Sequence, residues 1–123
     1  MASVMRHIAA EHLLKAEGTH VSAAVGLDLT WLQGPTTNDE LDVGIVSVAP
    51  GAQTPAHSHH KGQVIVCVSG QGFVELDGER VTVSKGDVVI CPAGEYHIHG
   101  ASADQSWEHL TISTGTHGGA RTE

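Results

Sequence analysis

The sequence predicts an all-β domain in which short antiparallel strands form a sandwich or a barrel. Runs of apolar residues recur at short intervals, and Gly, Pro and Asp residues separate them. The alternation of helices and strands that builds a parallel sheet is not seen in this pattern. A length of 123 residues, of which 40% are hydrophobic, fits one globular domain with its own core.

The chain divides into an N-terminal arm, a strand-rich core and a polar tail within a single domain, residues 1–123. Residues 1–20 are the arm, with one helical turn closed by Gly18. The barrel core extends from about residue 27 to residue 113. The tail, residues 114–123, is Gly-rich and polar, and we expect it to be loose.

The strands of the core follow from apolar patterning and from the turn residues that stop each run. The predicted strands are 27–32, 41–48, 63–69, 73–76, 79–83, 88–91, 96–99 and 107–113. The strongest signal is a hairpin around Asp77-Gly78, because Asp-Gly adopts the positive φ angles of a tight turn between two alternating runs.

The charge balance argues against nucleic acids and anionic membranes as partners. The chain has 14 acidic and 6 basic residues, a formal net charge of −8, and therefore lacks a basic surface that neutralises phosphates. No apolar run approaches the ~20 residues of a membrane span, and no signal peptide is visible. Cys67 and Cys91 lie in separate apolar runs, which favours buried free thiols in the cytoplasm.

Ten histidines are many for this length, and several have the spacing of side chains on one strand face. Residues two apart on a strand point the same way. The same-face sets are His57 with His59, His97 with His99, and Trp107 with His109 and Thr111. Imidazoles from separate strands converge in a barrel lumen, where a divalent cation offsets the cost of burying them. The others are expected to be ordinary surface residues: His7, His12, His20, His60 and His117.

Residues 51–101 resemble the two signatures of the cupin superfamily. The first signature, G-x5-H-x-H-x3-E-x6-G, is matched by Gly51, His57, His59, Gln63 and Gly70, with glutamine in place of the acid. The second, G-x5-P-x-G-x2-H-x3-N, is matched by Gly86, Pro92, Gly94 and His97, with Ala101 in place of the asparagine. The resemblance implies a double-stranded β-helix (jelly-roll) barrel. It also implies a set of metal ligands: His57, His59, Gln63 and His97.

The glutamine at position 63 changes what such a site does. Its amide oxygen donates a lone pair but brings no charge, so no protein anion balances a divalent ion. This favours Lewis-acid chemistry over an iron oxygenase built on a facial triad. The expected cofactor is one divalent metal ion, with manganese, iron or zinc favoured and nickel or cobalt compatible with the same ligands.

A narrower resemblance is to the metal-dependent cupin hydroxynitrile lyases of the mandelonitrile-lyase type. That group carries H-x-H-x-x-G-Q, then P-x-G-x-x-H-x-H-G-A, then a histidine twelve residues after the last ligand; here these are residues 57–63, residues 92–101 and His109. It implies carbon–carbon bond cleavage in a small hydroxylated substrate, with His109, or else His99, as general base. The expected substrate contacts are Trp107, Ile65 and Cys67.

Other functions suit the same residues, and the sequence leaves them open. A biosynthetic cyclase or isomerase uses the same Lewis acid and base for proton transfer, and a dioxygenase uses an iron form of the site. A binding or sensor barrel holds a small molecule without turnover. We also expect a homodimer, formed through the apolar alternation of residues 41–48.

Overall fold

The computed structural model describes residues 5–36, 40–58, 61–114 and 121–122. A short 3-10 helix, Ala10–Lys15, precedes the sheet. The strands are β1 (Thr19–Ala24), β2 (Leu27–Gln33), β3 (Leu41–Val48), β4 (His57–Ser58), β5 (Gln63–Leu76), β6 (Glu79–Ser84), β7 (Val88–Cys91), β8 (His97–Ala101), β9 (Trp107–Thr114) and β10 (Arg121–Thr122). All of their pairings are antiparallel. Among the described residues, no helix has the length and apolar content needed to cross a membrane.

The long strand β5 organises the fold because it belongs to both halves of a curled sheet. Its first half pairs with β9 and β7, and its second half pairs with β6 and β8. The main path of the sheet runs β1-β2-β3-β9-β5-β8-β4-β10. A register shift between Cys67 and Ser69, followed by Gly70 at φ 75°, bends β5 where it passes from one half to the other. The all-β fold of antiparallel strands predicted from the sequence is confirmed, and the strands curl into a half-barrel.

Several predicted strands agree with the structure, four others differ from it by one or two residues at an end, and two are merged into one. The bounds of β3 and β7 are those predicted, and the hairpin between β5 and β6 turns through Asp77 (φ 52°) and Gly78 (φ 77°). Residues 63–69 and 73–76 were predicted as separate strands, but they form one continuous strand. Gly70 bends this strand rather than ending it, because both flanks find partners in the sheet.

The ends of the chain contribute strands that patterning does not predict. The predicted helical turn of the N-terminal arm is present as the 3-10 helix, but β1 follows it and pairs with β2. Within the tail that was expected to be loose, β10 pairs with β4. Residues 115–120 of that tail lie outside the described part of the chain.

The core lies between the two halves of the sheet and includes a tightly enclosed tryptophan. Trp107 is fully buried, and its indole Nε1 donates a hydrogen bond to Cys67 Sγ at 3.0 Å. A Cβ atom at position 72 would overlap this indole, so Gly72 leaves the space that the ring occupies. Cys67 and Cys91 are both free and buried, as the sequence predicts.

Candidate metal centre

Three histidines from two paired strands meet at one point. His57 on β4 is the register partner of His97 on β8, and His99 lies two residues further along the same strand. Residues two apart share a strand face, so His99 lies beside His97. The His57 ring centroid is 4.6 Å from that of His97 and 5.1 Å from that of His99. The nitrogen atoms that could bind a metal all lie within 4.8 Å of one another.

The environment of this group favours neutral imidazoles. Burial and, to a lesser extent, the neighbouring His57 lower the pKa of His97 to about 4, against the raising effect of a backbone hydrogen bond at Glu95. Burial also lowers the pKa of His57, against the opposing effect of a hydrogen bond to a backbone carbonyl. His57 Nδ1 donates that bond to the Pro55 oxygen at 2.9 Å, so Nε2 is the unprotonated nitrogen of the neutral ring. A neutral imidazole is the form that binds a metal ion.

Gln63 presents an amide oxygen that lacks a hydrogen-bond donor. Its side chain is buried, and Nε2 donates a hydrogen bond to Thr111 Oγ1 on the neighbouring strand β9. Among the described residues, Oε1 has no hydrogen-bond partner. An acceptor left unsatisfied in the interior costs about 1–3 kcal/mol, which a ligand or cation at that oxygen would offset. Gln63 Oε1 is therefore open to an added donor or cation, and its role as an uncharged oxygen ligand stays a prediction.

His109 is the most deeply buried of the described histidines. Its ring centroid lies 5.4 Å from that of His99 and 4.2 Å from that of Trp107. Burial lowers its pKa to about 3, and neither ring nitrogen has a hydrogen-bond partner among the described residues. Polar atoms in such a place ordinarily have a partner, which points to a bound water, ion or substrate group next to this ring.

The structure places the predicted ligands as follows. His57 and His97 lie in the three-histidine group, whereas His59 lies outside the described residues. His99, which the sequence suggested only as an alternative base, is the third member of the described group. The i, i+2 spacing of His97 and His99 already placed the two together. Their meeting with His57 depends on the pairing of β4 with β8.

The predicted substrate contacts belong to the core. Ile65, Cys67 and Trp107 are at most 2% exposed. A cavity of about 460 Å³ reaches the histidine group at His97, and these three residues are not among its described lining. Their contact with substrate stays a prediction. Three histidines predicted to be on the surface are exposed there (His7, His12 and His20), while His60 and His117 lie outside the described residues.

The donor set fits one divalent transition metal. Ligands about 2.1 Å from a metal ion lie roughly 3–3.5 Å from one another, which small side-chain adjustments reach from the observed spacing. Imidazole nitrogen and amide oxygen are donors that manganese, iron, zinc, nickel and cobalt all accept. The described group includes no carboxylate.

Comparisons with known proteins relate this chain to two kinds of enzyme. It is 38% identical over 68 residues to the (R)-mandelonitrile lyase of Granulicella tundricola, a match that covers 54% of this chain and 52% of the lyase. It is 33% identical over 64 residues to a gentisate 1,2-dioxygenase of a Ralstonia species, covering 51% of this chain and 18% of the dioxygenase. The chain thus spans about half the length of the first relative and much less of the second.

The fold has a close counterpart among solved structures. A cupin-like protein from Thermotoga maritima superposes with a TM-score of 0.76 at 32% identity, covering 88% of this chain and 86% of that protein. Residues 44–113, which contain all three histidines of the described group and His109, match the cupin domain. The domain match and the structural similarity agree, and the chain belongs to the cupin domain family.

Proposed function

We propose that this protein is a metal-dependent lyase that cleaves a carbon–carbon bond in a small hydroxylated molecule, as a hydroxynitrile lyase does. The observation that carries the proposal is a group of histidine nitrogens within 4.8 Å of one another, with no carboxylate among its described members. The similarity to a mandelonitrile lyase supports the same reaction.

The proposed ligands are His57, His59, Gln63 and His97. A divalent ion held by these uncharged donors would supply Lewis-acid polarisation of a substrate hydroxyl or carbonyl oxygen. His99 packs against His97 with nearly parallel rings, 4.7 Å apart and 15° between planes. This stacking limits the rotation of both imidazoles and fixes the direction in which the His97 nitrogens point.

His109 is the proposed proton acceptor. Its nitrogens have no described partner and its pKa near 3 leaves a lone pair at neutral pH. The hydroxyl proton of a hydroxynitrile passes to this ring as the carbon–carbon bond breaks and the carbonyl forms. The bonding electron pair leaves with cyanide, which then takes the proton from the imidazolium. Because burial disfavours the imidazolium, the ring holds the proton only briefly.

The lyase activity is tested by following cyanide and benzaldehyde release from mandelonitrile, with elemental analysis of the purified protein. We expect activity to require bound metal and to fall about 10²- to 10⁴-fold in His109→Ala, the usual contribution of a general base. The matched control is His12→Ala, which removes an exposed histidine from the N-terminal segment, distant in sequence from His109. Full activity in protein shown to be free of metal would rule the proposal out.

A dioxygenase is the second candidate, because one relative is a gentisate 1,2-dioxygenase. The uncharged Gln63 weighs against it, since an amide stabilises trivalent iron less than a carboxylate does. Oxygen uptake by the iron-loaded protein with gentisate, without cyanide release from mandelonitrile, would favour the dioxygenase.

We further propose that the protein works as a homodimer on a small-molecule substrate. Strand β3 pairs with β2 on one side and β9 on the other, so a partner would contact its face rather than its edge. Leu41, 50% exposed, is an apolar residue at the start of this strand. Light scattering at micromolar concentration tests this, and a monomer there contradicts it.

A further inference from the structure

The cavity beside the histidine group has an apolar wall and an acidic mouth. It encloses about 460 Å³, and His97 and Cys91 contribute to its lining. Most of the remaining lining is aliphatic, including Val74 and Val81, and the only charged side chains described there are Asp77 and Glu79. The volume suits a small organic molecule.

Both acids are held near the histidines by the β5–β6 hairpin. Leu76 is the register partner of His97 across β5 and β8, and it also pairs with Glu79 across the hairpin. Asp77 follows Leu76 directly and begins the turn. Since paired Cα atoms lie about 5 Å apart and consecutive ones 3.8 Å apart, the Cα atoms of Asp77 and Glu79 lie within about 10 Å of that of His97.

Basic side chains do not offset these charges in the described lining of the cavity. Arg80, the nearest basic residue in sequence, forms an ion pair with Glu75 at 3.1 Å and lies 3.7 Å above the centre of the Phe73 ring. It contributes instead to a separate depression with Phe73 and Thr82. Within the described lining, the negative charges of Asp77 and Glu79 are therefore not offset by a basic side chain.

We propose that Asp77 and Glu79 act as a charge filter that admits neutral or cationic substrates and disfavours carboxylates. The inference rests on the proposed function, because it names the substrate class of the same site. Two like charges about 8 Å from a bound carboxylate, in a partly solvated mouth, weaken its binding by roughly tenfold. Such an effect shrinks with added salt, since screening acts over about 8–10 Å at moderate ionic strength.

The test compares two probes that differ by one charge: 4-(hydroxymethyl)benzamide and 4-(hydroxymethyl)benzoate. Their dissociation constants are measured by calorimetry on the zinc-loaded protein at low and high salt. We expect the amide to bind about tenfold more tightly at low salt, and the preference to decrease as salt is added. The double substitution Asp77→Asn with Glu79→Gln should remove most of this preference.

The variants are chosen so that the fold is kept. Asn tolerates the positive φ of residue 77, so Asp77→Asn preserves the turn. The control, Glu11→Gln with Glu17→Gln, removes the same charge from exposed positions in the N-terminal segment and should keep the wild-type preference.

Three results would overturn the filter: equal preference in the double variant and wild type, a wild-type preference for the carboxylate, or failure of both probes to bind at millimolar concentration. The preference between the two probes is measured as binding alone, independently of any catalytic activity. An intact preference without cyanide release would therefore refute the lyase alone, and cyanide release without a preference would refute the filter alone.

Discussion

Trp107 donates its indole N–H to the Cys67 sulfur at 3.0 Å, and this bond joins β9 to β5 inside the core. The same indole lies 4.2 Å from the His109 ring, centre to centre, so it supports one side of the proposed base. Gly72 on β5 provides the room for the ring. The position of His109 thus depends on three core residues that do not belong to the histidine group.

Gly72→Ala should destabilise the protein and reduce activity together. The added methyl group overlaps the Trp107 indole, and overpacking of this kind costs about 1–3 kcal/mol. Displacing the indole also moves the surface against which His109 packs. Urea unfolding and cyanide release measure the two effects. Gly78→Ala, in the open hairpin turn, is the control and should lower stability without lowering activity; equal activity in both variants would contradict this account.

Thr111→Val should weaken metal binding, because it removes the oxygen that accepts the Gln63 amide hydrogen. Without that bond, the amide is free to turn its oxygen away from the proposed metal. Loss of such an orienting partner typically lowers metal affinity 10- to 100-fold. Competition with a chelator measures the change. Thr111→Ser keeps the hydroxyl and should retain most of the affinity, and equal affinities of the Ser and Val variants would show that the hydroxyl is irrelevant.

Gln63→Glu should bind metal more tightly and catalyse more slowly. A carboxylate adds a negative charge that stabilises a bound cation, by on the order of 1.4 kcal/mol or tenfold in affinity. The same charge reduces the polarisation of a substrate oxygen, so cyanide release should fall. Metal affinity and turnover are measured on one preparation. A variant whose turnover rises along with its affinity would argue against Lewis-acid chemistry at this site.

The metal-free protein should lose stability as the pH falls below about 6.5. In the folded state the pKa of His97 is about 4 and that of His109 about 3, both below the ordinary value of 6.5. Above 6.5 these rings are neutral in both states and contribute nothing to the pH dependence. Below 6.5 the unfolded chain binds protons that the folded protein excludes, so the free energy of unfolding falls by up to about 1.4 kcal/mol per pH unit for each ring.

Urea unfolding at pH 5, 6, 7 and 8, in the presence of a chelator, measures how the free energy of unfolding changes with pH. His12→Ala removes an exposed ring and should leave this pH dependence unchanged. A free energy of unfolding that is constant from pH 5 to pH 8 would show that the buried imidazoles are not kept neutral.

Local patterning predicts the strands of the core, and pairing explains what patterning misses. The apolar alternation and turn residues placed β3, β7 and the hairpin at Asp77-Gly78. Strand β1 mixes polar and apolar residues without regular alternation, and β10 has only two residues, both polar. Their sequences therefore carry little strand signal, and they form by pairing with β2 and β4. The continuity of β5 through Gly70 likewise depends on partners that are distant in sequence.

In the candidate site, too, local sequence patterns predict some features, and others depend on strand pairing. Motif spacing identified His57, Gln63 and His97, and strand periodicity placed His99 on the face of His97. The contact of Trp107 with His109 follows the same i, i+2 spacing within β9, whereas the hydrogen bond from Gln63 to Thr111 and the pairing of His57 with His97 join residues on different strands. Such relationships depend on register and bend, which no local pattern specifies.

Strand β5 begins at Gln63 and runs directly into the hairpin that carries Asp77, so one continuous backbone positions both a proposed metal ligand and one side of the cavity. Inserting or deleting a single residue between them would turn the side chains on one flank to the opposite face of the sheet. A change of ligand preference in this protein would therefore come from exchanging side chains along β5, because a change in the length of the strand would disrupt one of its two ends.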